Sequence, residues 1–159
     1  MRGGFWPPAL LGVALAFALA FAPPRLRLPA IILAVVAALT ISQSALPSDW
    51  QEAIFAGTWL SVIIAALAVH SPRTPDAWLL VIAGNTGIWA GAVTAIAGTP
   101  KDLLRALPLV LLAYPGAWLV ANRGAIVIKV AASWLVAIAI LVAALPIVPT
   151  PGYVQDHVE

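Results

Sequence analysis

The chain has 159 residues, of which 63% are hydrophobic and only 9% charged, with a formal net charge of +2. A soluble domain of that size carries about a quarter of its residues as charges, so this composition cannot solvate a globular surface. The eight basic residues are scattered rather than clustered, which excludes a nucleic-acid footprint. Zero cysteines exclude disulfides, thiolate metal sites and cysteine nucleophiles. A mean hydropathy of +1.04 and long Ala/Leu/Val/Ile runs point to the bilayer as solvent.

A spanning helix needs about 20 mainly apolar residues, because no backbone polar group can go unpaired in lipid. Six segments qualify. The first runs from Phe5 to Ala22. Arg2, the apolar run Ala9–Phe21 and the Ala20-Phe21-Ala22 triplet imitate a cleavable signal peptide, but Pro23 directly after the triplet opposes cleavage, so an uncleaved helix is expected. The second covers Leu28–Leu46, and the third Ala53–His70 after the polar turn Pro47–Glu52. The fourth covers Trp78–Ala97, the fifth Leu103–Ala121 and the sixth Ala125–Val148, followed by a polar tail, 149–159. Most prolines lie at segment ends, where they stop helices harmlessly. Pro115, beside Gly116, falls inside the fifth segment and predicts a kink there.

Six tryptophans, Trp6, Trp50, Trp59, Trp78, Trp118 and Trp134, fall near segment ends or one to two turns inside and are expected to be interfacial anchors. Trp89 lies mid-segment and should face a neighbouring helix or lipid.

The expected fold class is an all-α membrane protein, a polytopic bundle of about six transmembrane helices forming one domain over 1–148. Its halves, 1–72 and 73–148, share landmarks. Trp6 and Gly12 pair with Trp78 and Gly84 at an offset of 72, RLPAIILA with ALPLVLLA at 79, and Trp59 with Trp134 at 75. Three helices per half would give the halves opposite orientation, the inverted-repeat plan of many transporters; equally, Ala/Leu-rich helices align with one another easily.

Intramembrane ionisable residues are functional candidates because burying charge in hydrocarbon is expensive. Every acidic residue, Asp49, Glu52, Asp76, Asp102, Asp156 and Glu159, falls in a loop, a segment edge or the tail, and only His70 and His157 are histidines. The residues for a proton relay or a membrane metal centre are missing, and no catalytic motif is present, so neither catalysis nor a cofactor is expected. Lys129, a turn into segment six, is the best candidate for a functional charge, pairing with an anionic substrate, a lipid phosphate or a partner carboxylate. Its stem also suits snorkelling to the interface. Segment four carries Gly84, Gly87, Gly91, Thr94 and Gly98 at spacings of three and four, including a GxxxG, a face that lets another backbone approach closely, within the chain or between subunits. Asn85 and Thr86 offer either interhelical hydrogen bonds or a polar path.

These features lead to the expectation of a non-catalytic integral membrane subunit or accessory protein, set in lipid and packed against other membrane subunits or its own copies. The alternative is a small oligomeric channel or transporter for ions or small solutes, with Asn85, Thr86 and Lys129 as its contacts. The expected setting is a bacterial inner (plasma) membrane, and the loop charges mildly favour both termini outside the cytoplasm.

Overall fold

The computed structural model describes residues 4–71 and 74–145, and among these every regular element is helical. The elements are α1 (Trp6–Ala20), α2 (Pro24–Ser42), α3 (Gln51–Ala68), α4 (Asp76–Ala97), α5 (Pro100–Ala106), α6 (Ala113–Ala121) and α7 (Ala125–Ala144), with 3-10 turns at Ser48–Trp50 and Leu107–Leu112. Five helical runs are long and apolar enough to cross a membrane: α2, Ser48–Ala68, α4, Pro100–Ala121 and α7. α1 has 15 residues, about 22 Å of helix at 1.5 Å per residue.

Proline sets the helix starts more strongly than the apolar runs suggest. Pro7 and Pro8 open α1, and Pro24 opens α2 four residues ahead of the expected Leu28, because a proline in the first turn lacks only an N–H that had no partner anyway. α5 begins at a capping box, with Asp102 N–H donating to Thr99 Oγ1 (3.3 Å) and Thr99 N–H to Asp102 Oδ2 (3.0 Å). The irregularity expected in the fifth segment is present, but it lies upstream of Pro115. The 3-10 stretch starts beside Pro108, whose missing N–H interrupts the regular i→i−4 pairing, whereas Pro115 sits in the first turn of α6, where no donor is required. The final part of the expected sixth segment and the tail lie outside the described residues.

α1 forms the centre. Ten of its 15 residues are buried, with Leu11, Leu15 and Leu19 fully enclosed, and α3, α4 and the run from α5 to α6 surround it. Two helix pairs run parallel. Ala34 and Ala38 of α2 lie opposite Gly87 and Gly91 of α4, and Gly12 and Ala20 of α1 lie opposite Ala106–Val110 and Gly116 of the α5–α6 run.

The bundle has two chemically distinct ends. At one, Arg25 meets Asp76 (2.7 Å), His70 meets Ser133 (3.2 Å), and Lys129 lies 6.0 Å from the Phe21 ring centre. At the other, the Gly4 N–H donates to Ala97 (3.1 Å), and Ile54, Ala92 and Val93 pack with Ile41 and Leu46. Of the five exposed tryptophans, four divide evenly, Trp78 and Trp118 toward the first end, Trp6 and Trp50 toward the second, as a membrane's two interfaces would arrange them. Two of the expected anchors fall elsewhere. Trp59 is wholly buried in the middle of α3, and Trp134 projects outward from the middle of α7. Apolar runs fix where a helix lies, and the rotation of α3 about its own axis turns Trp59 inward.

Candidate functional site

The polar residues of the fourth segment do not converge. Asn85 faces α3, where its Nδ2 donates to Ser61 Oγ (2.8 Å) while its Oδ1 accepts from Trp89 Nε1 (3.0 Å). This places an interhelical bridge inside the apolar bundle, with each polar atom of the trio matched by another. The Trp89 ring occupies the space that a Cβ on Gly57 would need, so this indole faces a neighbouring helix. Thr86, the next residue on α4, turns to a different side, toward α1 and α2. Lys129 stands on the surface of α7 beside Phe21, at the arginine-bearing end. Three candidate contacts therefore have three separate surroundings.

The glycine face divides as well. A Cβ on Gly87 would collide with the Ala34 backbone, and one on Gly91 with the Ala38 carbonyl and Ile41, so the GxxxG lies against α2 of the same chain. Gly84 meets only Leu33 side-chain atoms, at 3.7 Å. Thr94 is buried and donates to the Ala90 carbonyl (2.7 Å). Gly98 does not share the face. It ends the helix in an extended conformation, φ −122° and ψ −170°, and a Cβ there would touch its own Thr94. Helical spacing fails at that position because the helix stops at Ala97.

The arginine-bearing end is the most developed polar surface. Arg27, in the second helical turn of α2, donates to the carbonyl of Leu19 (3.3 Å), which also accepts from the Ala22 N–H, and to that of Ala22 (2.9 Å), two residues past the end of α1. Arg27 carried no signal in the sequence beyond its charge, since its partner carbonyls lie at the end of the preceding helix. Arg123 takes the left-handed position of the α6–α7 turn, φ +67°, with Gly124 N–H donating to Leu119 (2.8 Å) and Arg123 N–H to Val120 (3.3 Å). This is a Schellman closure that usually places glycine where Arg123 stands.

Among the described residues this end holds Arg25, Arg27, Arg123 and Lys129 against Asp76, while the other holds Lys101 and Arg105 against Asp49, Glu52 and Asp102. Arg2, Arg73, His157, Asp156 and Glu159 lie outside the described residues. No three of His, Asp or Glu approach one another closely enough to hold a metal among the described residues.

The outer face of α7 is the remaining distinctive feature. Ile126, Val130, Trp134, Ile138, Leu141 and Leu145 recur every three or four residues and are all exposed. Trp134 is 71% exposed. It lies six residues, about 9 Å, inward of Ile128, which contacts Gly116 beside Ala20 at the end of α1. Trp134 is thus exposed near the middle of α7, one residue after Ser133, whose hydroxyl meets His70 at the arginine-bearing end (3.2 Å).

Comparison with protein families, curated proteins and solved structures gave no match to this chain.

Proposed function

We propose that this protein is a non-catalytic integral membrane subunit that packs sideways against another membrane protein through the outer face of α7. The observation that carries the reading is Trp134. An indole N–H prefers an acceptor, and tryptophans facing lipid gather at the interface rather than within the hydrocarbon. A tryptophan presented outward from mid-helix, in an apolar stripe of large side chains, suits insertion into a neighbouring protein that supplies both packing and an acceptor. The polar groups of α4 are enclosed within the bundle, and the centre is filled by α1, which leaves the periphery as the working surface.

Six crossings in two inverted halves belong to the same proposal. α1 keeps pace with α4, because Gly4 bonds to Ala97 at one end while Ala18 and Ala22 border the same cavity as Leu79 at the other. The first helix of each half also packs in parallel on the second helix of the other half, α1 on α5–α6 and α4 on α2. The excess of basic residues at the Arg25 end favours that end in the cytoplasm and both termini outside it, in a bacterial inner membrane. The channel or transporter alternative keeps the inverted halves in its favour, but its contacts Asn85, Thr86 and Lys129 face apart.

A photo-crosslinking residue placed at Trp134, and separately at the exposed Val36 of α2, tests the reading in native membranes. A discrete protein adduct at position 134 and none at position 36 is the expected result, with the same protein co-migrating in blue-native electrophoresis. Lipid adducts alone at both positions, with a lone monomer after mild detergent extraction, would refute it. An adduct to a second copy would replace the heterologous partner with a homo-oligomer.

A further inference from the structure

Thr86 is 2% exposed, yet its hydroxyl has no hydrogen-bond partner in the chain. The other two buried threonines show the ordinary arrangement in a helix. Thr58 and Thr94 each donate to the carbonyl four residues earlier, Ile54 and Ala90, at 2.7 Å. Thr86 makes no such bond. It borders instead a cavity of about 20 Å³ between α1, α2, α4 and α5, whose walls include Gly12, Ala38, Gly87, Leu103 and Val110. Glycine and alanine make the space by withholding side-chain volume where four helical segments meet.

Two quantities decide what fits. A void needs roughly 10 to 15 Å³ to admit one water, so this one accommodates a single water and excludes any solute of several heavy atoms. A hydroxyl sealed in an apolar interior without a partner is costly, and a water can both donate to it and accept from it. The wall opposite Thr86 also supplies backbone. Leu103, Ala106 and Leu107 border the cavity where α5 passes into the 3-10 stretch, and the Ala106 carbonyl lies 3.6 Å from where a Cβ on Gly12 would stand.

We propose that this cavity is the binding site of one long-lived water molecule, bridging Thr86 Oγ1 to the backbone of the Leu103–Leu107 turn. It assigns Thr86 a role that neither a packing face nor a substrate path explains, and it stands independently of the partner proposed for α7. The α5–α6 run thereby meets the centre of the bundle partly through solvent, at the point where its regular hydrogen bonding lapses.

Water-to-amide cross-relaxation, measured by NMR on the full chain in micelles, tests this together with xenon titration. In the native protein, the Gly87 and Val110 amides should show a water contact of long residence, and xenon should leave the surrounding methyl groups unshifted. Thr86→Ser should keep both properties. The near-isosteric Thr86→Val should lose the water contact and gain xenon-induced shifts at Leu15 and Val110. A native protein with no water contact, and with xenon shifts equal to those of Thr86→Val, would overturn the proposal by showing a dry apolar void. The native readout alone is decisive should Thr86→Val fail to fold.

Discussion

α4 and α7 are similar in length, 22 and 20 residues, but the bundle treats them oppositely. About 56% of the spanning stretch of α4 is buried inside the protein against 28% for α7, although α7 is the more hydrophobic, with a mean hydropathy of 2.5 against 1.6. In water the more apolar helix would take the interior. In lipid the rule reverses, because hydrocarbon surrounds the bundle as readily as protein does, and the interior goes to helices that offer close approach and hydrogen bonds. Gly87 and Gly91 give α4 its approach to α2, and Asn85 gives it a bond to α3. The Ile, Val and Leu of α7 offer neither and face outward.

The contrast is broken most severely at Gly87. Gly87→Leu should destabilise the protein by about 3 kcal/mol or more, since the new side chain meets Ala34 backbone rather than a movable side chain. Ala137→Leu, the same kind of enlargement on the exposed face of α7, should change stability by less than about 0.5 kcal/mol. Both values are measurable by denaturant unfolding in mixed micelles followed by circular dichroism. A large loss at both positions would mean that α7 is enclosed as α4 is.

Removing the polar bridge sharpens the comparison at smaller scale. Asn85→Leu raises the hydrophobicity of α4 yet should cost about 1 kcal/mol in the same assay, because Ser61 and Trp89 both lose their partner. Stabilisation instead would show that hydropathy governs burial here after all. The smallest effect is expected at the turn leading into α7. Arg123→Gly should stabilise by about 0.5 to 1 kcal/mol by relieving the left-handed strain of a side chain at φ +67°, and a loss would show that the arginine charge outweighs its backbone conformation.

The membrane class and most helix boundaries were legible in the sequence because each is a local property. Apolar runs measure the bilayer, whereas Pro24 and Pro100, which the apolar pattern leaves between segments, open their helices four and three residues ahead of the expected Leu28 and Leu103. The glycine face of α4 was legible as a face. Its partner was not, because Ala34 and Ala38 of α2 are two among many alanines at helical spacing and nothing in a single helix names its neighbour. The same gap hid Arg27, which acts on carbonyls at the end of α1, and misplaced Trp59, whose depth was approximately readable but whose rotation was not; Trp134 faces outward as an anchor does, but from mid-helix. Gly98 was misread for a simpler reason: periodicity continues on paper past the residue where the helix ends. Thr86 was identified as polar within a membrane segment, while its lack of a partner depends on where four helical segments happen to meet.

The shortness of α1 bears on how the molecule is made. About 22 Å of largely alanine helix is less than the roughly 30 Å hydrocarbon core, so this segment is a weak candidate for stable residence in lipid by itself. It nevertheless precedes in the chain every helix that later encloses it. The arginine that closes its carbonyl end, Arg27, follows within the second helical turn of α2. α2 itself packs chiefly on α4 rather than on α1, so the α1–α2 pair alone leaves α1 without a packing partner. The lasting central position of α1 is conferred afterwards, as α3, α4 and the α5–α6 run arrive around it.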